Sequence, residues 1–375
     1  MPDKKRMQIG YRPTWAEVDL DNLAYNFRQI KKIIKPQTRI MACVKADAYG
    51  HGLVAVAGKL QRCGVDYLSV ASIDEAIVLR KSRVTKPILV LGMIRKTDIA
   101  PLFRYNIIPT VCTKELALAL NAKARARAKP VKVHIKVDTG MGRIGVLYKD
   151  AVDFIRYVSH LKFVEIEGLF THLACADTDK NFTLYQIGLL NRLKSKLESL
   201  KIKIPLVHAA NSLGVVNYPY CHFNMVRPGL IVYGLYPSKG LDIKLRPVLS
   251  LKTKVVYLKR VPAGSGISYG HTYVTGKKTT IVTLPIGYGD GYPRNLSNKA
   301  PVLIRGRRFK ISGRVCMDQI MVDVGNYKVR AGDEAVLIGT QGKDRITAEE
   351  LAALSDTIPY EIVCGLGSRV PRCNY

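Results

Sequence analysis

The chain reads as α/β, an N-terminal (β/α)8 TIM-type barrel followed by a mostly β C-terminal domain, and three observations point there. Between residue 40 and about residue 230, eight short β-rich runs recur with amphipathic, helix-like stretches between them, the alternation of a parallel sheet. Several runs are almost continuously apolar, as strands covered on both faces should be. Beyond about residue 244 the pattern changes to alternating strands separated by turns such as TGKK, GDGYPR and RGRR.

In chain order the barrel runs are RIMACVKAD, DYLSVAS, PILVLGM, IIPTVC, VKVHIKVD, IEGLFTHLA, IPLVHAAN and FNMVRP. Eight strand-helix units in about 230 residues suit a closed barrel, although the count alone leaves a doubly wound sheet open. Helix starts are marked by Ser72 with Glu75 three residues on, by Thr113 ahead of Leu116 to Ala128, and by Thr347 with Glu350 before LAALSD. The first and last of these have the capping-box pattern. The expected domains are residues 12–244 for the barrel and 245–375 for the β-rich part, with residues 1–11 associated with the latter. No low-complexity linker separates the halves, so they should pack together.

Composition narrows the function classes. With 375 residues, 47% hydrophobic and 23% charged, disorder and collagen are excluded. No apolar run approaches the roughly 18 residues of a membrane span. The opening MPDKKRMQIG leads into no apolar segment, which predicts a cytoplasmic protein without a signal peptide or membrane insertion. The eight cysteines show no C-x-x-C pair and read as free thiols. The scattered histidines give no H-E-x-x-H, so no metal site is expected. The formal charge of +30 is diffuse. Its sharpest cluster, Lys123 to Lys129, reads as a solvated helix face, and no specific nucleic acid is expected.

Two nucleotide signals fail on context. GMGRIG (Gly140 to Gly145) satisfies G-x-G-x-x-G, but it lies in the fifth unit and carries Arg143, and Glu165 and Glu167 fall at the start of the next strand, where the ribose acid should be near its end. The stretch from Gly270 to Lys277 is one residue too long for a Walker A loop. In a barrel, reactive groups gather at the C-terminal strand ends, and unusual polar residues do so here: Lys45, Tyr49, Lys136, Arg143, His172, His208, Ser212 and Arg227. A lysine in a low-dielectric mouth beside two arginines should favour its free amine, able to form a Schiff base with an aldehyde. That chemistry suggests pyridoxal 5'-phosphate (PLP). Ser212 and the backbone around Gly229 occupy the usual barrel phosphate position.

VKADAYGHG, HIKVDTGMGRIG, HAANS, MVRPGLIVYG, GISYGHTY, GYGDGYPR and GRVCMDQ occur in this order. Together they resemble the alanine racemase family over essentially the full length. The resemblance implies that Lys45 holds PLP and acts as one base, while Tyr269, supplied by the second subunit of a homodimer with shared active sites, acts as the other. Two opposed bases can remove an α-proton from one face and return one to the other. A phenol, ordinarily near pKa ~10, needs neighbouring positive charge to serve, for which Arg143 and His172 are the expected groups.

By the same resemblance, Arg143 and the Met317 backbone bind the substrate carboxylate, and Lys136 is a candidate for carbamylation that would pair with Arg143. Arg227 faces the pyridine nitrogen without fully protonating it. Tyr49, Ser212, Gly229, Leu230 and Tyr360 surround the phosphate, and His172 belongs to the cofactor site. Tyr360 and Tyr288 narrow the entrance toward a methyl-sized side chain, while Asp318 reads as either structural or substrate-facing. The implied function is PLP-dependent racemisation of L- and D-alanine for cell-wall synthesis. The alternatives are a racemase of broader specificity and a non-catalytic PLP-binding carrier, which typically lacks a second domain. GYGDGY has glycine where the family commonly has alanine, and the family pattern does not account for the charge.

Overall fold

In the computed structural model, which describes residues 11–375, all eight runs form strands. After a first strand β1 (Thr14–Val18) come β2 (Arg39–Cys43), β3 (Tyr67–Val70), β4 (Ile88–Val90), β5 (Ile108–Val111), β6 (Val131–Asp138), β7 (Val164–Phe170), β8 (Leu206–His208) and β9 (Met225–Val226). Strands β2 to β9 pair in parallel with their neighbours, and β9 returns to β2, with Met225 opposite Arg39 and Val226 opposite Ile40. That pairing closes the barrel. Every residue of β3, β4 and β5 is buried, because the strands are covered by helices outside and side chains within.

The helix starts hold in part. Ser72 accepts from the Glu75 N–H at the head of Ile73–Lys81, and Thr113 from the Leu116 N–H at the head of Lys114–Arg125. Thr347 does the same for Ala348–Leu354. The glutamates of the two expected boxes turn elsewhere: Glu350 pairs with Arg308 at 2.5 Å, and Glu75 reaches across to the barrel strands, as described below.

The second domain is built on a seven-stranded sheet, a three-stranded antiparallel sheet and a short ribbon, Gly266–Ile267 with Tyr273–Val274. Strand β1 lies in that larger sheet, although the sequence reading opens the barrel at residue 12. It runs antiparallel to Leu249–Lys254, with Thr14 opposite Thr253, and parallel to Arg372–Asn374, with Ala16 opposite Arg372. TWAEV is a short, mostly apolar run with four of its five residues buried, and such a run does not name its partner. Residues 1–10 of the expected N-terminal extension lie outside the described residues.

The two domains are fastened at the barrel mouth. A Cβ on Gly50 would sit 2.0 Å from the Val363 carbonyl oxygen of helix Pro359–Cys364, so only glycine permits this approach, and its φ of +76° points the same way. Arg372 Nε donates to the Gly50 carbonyl at 2.9 Å. This contact carries Tyr360 to the rim.

Candidate active site

A cavity of about 630 Å³ opens at the C-terminal ends of the barrel strands. Lys45, Tyr49, Lys136, Arg143, His172, Ser212, Arg227, Gly229 and Tyr360 all line it, so the structure brings together nine of the residues singled out in the sequence. Leu230 is fully buried beside Gly229. Gly92, Met93, Phe170 and Asn211 also line the cavity, and nothing in their local pattern marks them.

Lys45 follows β2 and begins a turn of unusual hand. Ala46, Asp47, Ala48 and Tyr49 have φ values of 53°, 52°, 54° and 55°, a left-handed helical turn made of four residues none of which is glycine. Each such residue is roughly 1–2 kcal/mol less favourable than in the right-handed form, so fixed partners must hold the turn. Asp47 Oδ1 accepts from the Leu53 N–H at 2.7 Å, and the Ala48 N–H donates to the Val44 carbonyl at 2.9 Å. The result projects Tyr49 inward against Tyr233, ring centroids 4.9 Å apart.

At one end of the cavity, Ser212 Oγ accepts from the Gly229 N–H at 3.0 Å and the Ile231 N–H at 3.5 Å. A Cβ on Gly229 would sit 2.6 Å from Tyr49 Oη, so a side chain there would press on the phenol. Burial pushes the Tyr49 hydroxyl well above its ordinary value and Tyr360 up to about 12. Both phenols keep their protons at neutral pH and can donate hydrogen bonds.

Arg227 is buried and held by four acceptors: His208 Nδ1 at 2.7 Å, the Thr171 carbonyl at 2.7 Å, the Ala209 carbonyl at 3.1 Å and His172 Nδ1 at 3.5 Å. Burial brings Arg227 down to about 10, which still leaves it cationic at pH 7. His172 is pushed down to about 3 by burial and then by Arg227, Arg143, Lys136 and Lys45. It is therefore neutral near pH 7, and the positive charge expected beside a phenol falls to Arg143 instead: a largely enclosed ring among four cations resists taking another proton.

Beneath this layer His208 Nε2 meets His134 Nδ1 at 2.9 Å, and His134 Nε2 meets Glu167 Oε2 at 3.2 Å. Glu167 Oε1 accepts from Lys132 Nζ at 2.8 Å. The sequence does not mark His134 and Glu167 as site residues: His134 shares the strand face of Lys136, which is a usable signal, whereas Glu167 turns inward at a β-bulge, where the pairing steps from Val133–Ile166 to His134–Gly168, and no local pattern announces it.

Lys136 is brought to about 8, first by burial and then by the Arg143 and Arg227 charges. Its Nζ lies 5.6 Å from the Phe170 ring centroid. The glycine-rich loop that follows is closed by its own acid: Asp138 Oδ1 accepts from the N–H groups of Gly140 at 2.9 Å, Met141 at 2.8 Å and Gly142 at 3.2 Å. An internal carboxylate thus occupies the amides that a dinucleotide phosphate would need.

Tyr269 is elsewhere. It stands on the turn of the Gly266–Val274 ribbon and lines a second cavity, of about 660 Å³, with Met317, Asp318 and six other residues of the β domain. Tyr269 is 71% exposed and Met317 53%. Ser268 fixes the turn by donating from Oγ to the Arg314 carbonyl at 2.7 Å. Asp318 pairs with Arg369 Nη2 at 2.6 Å. The N–H groups of Tyr288 and Gly289 bond the Cys316 and Met317 carbonyls at 3.0 and 2.9 Å, which places Tyr288 beside this cavity. Within one chain Tyr269 and Met317 line this second cavity together and do not line the cavity of Lys45.

Family profiles described as alanine racemase, N-terminal domain, and alanine racemase, C-terminal domain, match residues 18–237 and 248–374. An alanine racemase of Halothermothrix orenii is 51% identical over 365 residues, covering 96% of each chain. The solved alanine racemase of Clostridium difficile 630 superposes with a TM-score of 0.92 at 40% identity, covering 97% of this chain and 96% of the other. A histidine racemase of Leuconostoc mesenteroides superposes with a TM-score of 0.89 at 30% identity, covering 97% and 98%.

Proposed function

The chain belongs to the alanine racemase family of isomerases, and on that premise we propose that it interconverts L- and D-alanine with bound PLP, by two opposed bases, in a homodimer whose sites each combine one barrel with the partner's β domain. The observation that carries this reading is the division of the machinery: Lys45, Arg227, Ser212 and Gly229 share one cavity, whereas Tyr269 and Met317 stand exposed on another domain.

The barrel cavity fits the cofactor by the chemistry of its donors. The Lys45 amine suits an aldehyde, and the Ser212 hydroxyl, oriented by the Gly229 and Ile231 amides that it accepts from, together with the protonated Tyr49 and Tyr360 phenols, suits a phosphate monoester. When bound, PLP supplies an aldehyde for the substrate amine and a ring that takes up the electron pair left when the α-proton departs. Lys45 Nζ exchanges that proton on one face, and Tyr269 Oη of the partner subunit exchanges it on the other. Arg143 orients the substrate carboxylate and, as the neighbouring cation, favours the phenolate. Met317 of the partner subunit assists through its backbone.

Arg227, its donors fixed by His208, His172 and two carbonyls, keeps its own proton and limits how far charge spreads into the ring. With an ordinary value of 10.5 brought down to about 8, Lys136 carries enough free amine to capture carbon dioxide. The carbamate would turn a repulsive contact with Arg143 into an attractive one. The expected setting is the cytoplasm, where D-alanine feeds cell-wall synthesis.

Absorbance of the purified protein in the region of bound PLP, followed by circular dichroism with L-alanine, tests the reading. A decaying alanine signal supports it, and an inert protein with bound cofactor favours a carrier. Because a histidine racemase shares the fold, serine, lysine, arginine and histidine belong in the same assay. Turnover of any of them rivalling that of alanine would replace alanine by a broader specificity.

A further inference from the structure

The left-handed turn that begins at Lys45 is held from outside by a residue on another strand-helix unit. Glu75 Oε1 accepts from the Ala46 N–H at 2.6 Å, and Glu75 Oε2 accepts from the Ala71 N–H at 2.7 Å. Ala46 directly follows Lys45, and Ala71 directly follows β3, the strand paired with β2. One carboxylate therefore bridges the ends of two adjacent barrel strands at the point where the chain leaves the barrel to present Lys45.

In the sequence Glu75 belongs to a Ser72-x-x-Glu75 pattern whose usual meaning is helix capping, with the glutamate returning to the N–H of the capping serine. Only half of that meaning is realised. Ser72 Oγ still accepts from the Glu75 N–H, at 3.3 Å, while both carboxylate oxygens are spent on Ala46 and Ala71. Hydrogen bonds from amides to an ionised carboxylate are among the stronger ones, and here one of them acts on the first of four strained residues. Asp47 and Arg372 fasten the far end of the same turn through Leu53 and Gly50. Backbone bonds hold Val44 on the near side of Lys45, to Ser69 and Ala48, and of the three side chains Glu75, Asp47 and Arg372 it is Glu75 that acts on the residue directly after Lys45.

We propose that Glu75 is a positioning residue for the racemisation: its carboxylate, bonded to the Ala46 and Ala71 amides, clamps the left-handed turn so that the Lys45 amine is aimed into the cofactor cavity. Glu75 touches neither substrate nor cofactor. The proposal rests on Lys45 being the cofactor lysine. It makes Glu75 matter for the rate at the reacting carbon and for cofactor retention, and not for binding of the substrate carboxylate, which falls to Arg143.

The pair of functions carried by Ser72 and Glu75 supplies the control. Ser72→Ala removes the cap and leaves the clamp, Glu75→Ala removes the clamp, and Glu75→Gln keeps the shape with one acceptor oxygen in place of two. The holoenzymes are compared by amide hydrogen exchange of the peptide spanning residues 44–50, by PLP dissociation, by thermal melting, and by kcat and KM for alanine per cofactor-loaded site. Ser72→Ala is expected to melt earlier with exchange at 44–50 and kcat unchanged. Glu75→Ala is expected to exchange roughly tenfold or more faster at 44–50, to release PLP more readily, and to lose roughly ten- to a hundredfold in kcat with KM little altered. Glu75→Gln should fall between.

Glu75→Ala and Glu75→Gln matching Ser72→Ala in exchange and in kcat per loaded site would reduce Glu75 to a helix-stabilising residue and overturn the proposal. Should Glu75→Ala fold poorly, Glu75→Gln alone decides, because its bulk and helix propensity are kept. Lys45→Ala, measured alongside, separates the two readings. If that variant keeps a covalent cofactor, the assignment of Lys45 fails and the proposal with it, whatever the exchange data show about the bridge.

Discussion

The barrel mouth and the Tyr269 ribbon are opposite kinds of site on one chain. At the mouth, Arg227 is buried with four acceptors, and polar residues from several strands line one recess. On the β domain, Tyr269 of the ribbon and Met317 of a neighbouring loop are well exposed on the wall of a more open recess. The first arrangement holds a charged group withdrawn from solvent, where its electrostatic interactions are strengthened. The second has the properties of a surface that acts when something covers it. One half of the machinery is finished by folding, and the other by the association proposed above.

The largest expected effect removes the finished half. Lys45→Ala should abolish covalent attachment of PLP, read as loss of the absorbance band and of borohydride-fixed cofactor, and lower kcat by roughly 10³-fold or more. Full activity in this variant would sink the barrel-mouth assignment.

Next comes the unfinished half. Tyr269→Phe should keep its cofactor and lose roughly 10²- to 10⁴-fold in abstraction from L-alanine, while exchange of the D-alanine α-proton, left to Lys45, suffers less. Mixing the two dead variants sharpens the comparison. Random reassortment of a twofold dimer gives half hybrids, each with one intact site, so about a quarter of wild-type activity should return. No recovery after subunit exchange is demonstrated would mean that Lys45 and Tyr269 are not contributed by different chains.

How much of this was legible in the sequence follows from what each feature depends on. The strand ends carrying Lys45, Lys136, His172, Ser212 and Arg227 were readable, because apolar runs mark strands and a barrel exposes chemistry where strands stop. Pairing was not: β1 looks like any short strand, and its partners lie more than 200 residues away. The left-handed turn was invisible as well, since KADAYG carries no glycine where the hand reverses, and it is imposed by tertiary contacts such as Glu75 and Arg372. Tyr269 could be picked from 20 tyrosines only through the family motif, because its surroundings within one chain do not mark it.

A smaller effect concerns Lys136. If its amine captures carbon dioxide, protein freed of bicarbonate should bind alanine more weakly, with KM raised several-fold through a less well placed Arg143, and added bicarbonate should restore it. Capture needs the free amine, so recovery should be faster above pH 8 than at pH 6, given the value of about 8. Bicarbonate-independent KM across that range would remove the modification from the proposal.

The smallest effect on catalysis and the clearest on stability is expected at the barrel floor. Burial pushes Glu167 upward, but hydrogen bonds from His134 and Lys132 prevail and hold it at about 2, below its ordinary 4.5. The folded protein therefore binds fewer protons than the unfolded chain between those values, and the stabilisation from this carboxylate is full above pH 4.5 and lost as pH falls toward 2. The depressed histidines act in the same direction from a higher starting point, since His172 at about 3 takes up a proton below pH 6.5 only on unfolding. Wild-type stability should thus decline from pH 6.5 downward and more steeply below 4.5. In Glu167→Gln the steeper component should be missing, so the gap in melting temperature between the two proteins narrows as the solution is acidified, while kcat at pH 7 changes little because two histidines separate Glu167 from Arg227. A gap that stays constant from pH 7 to pH 3 would show that Glu167 acts through packing rather than through its charge.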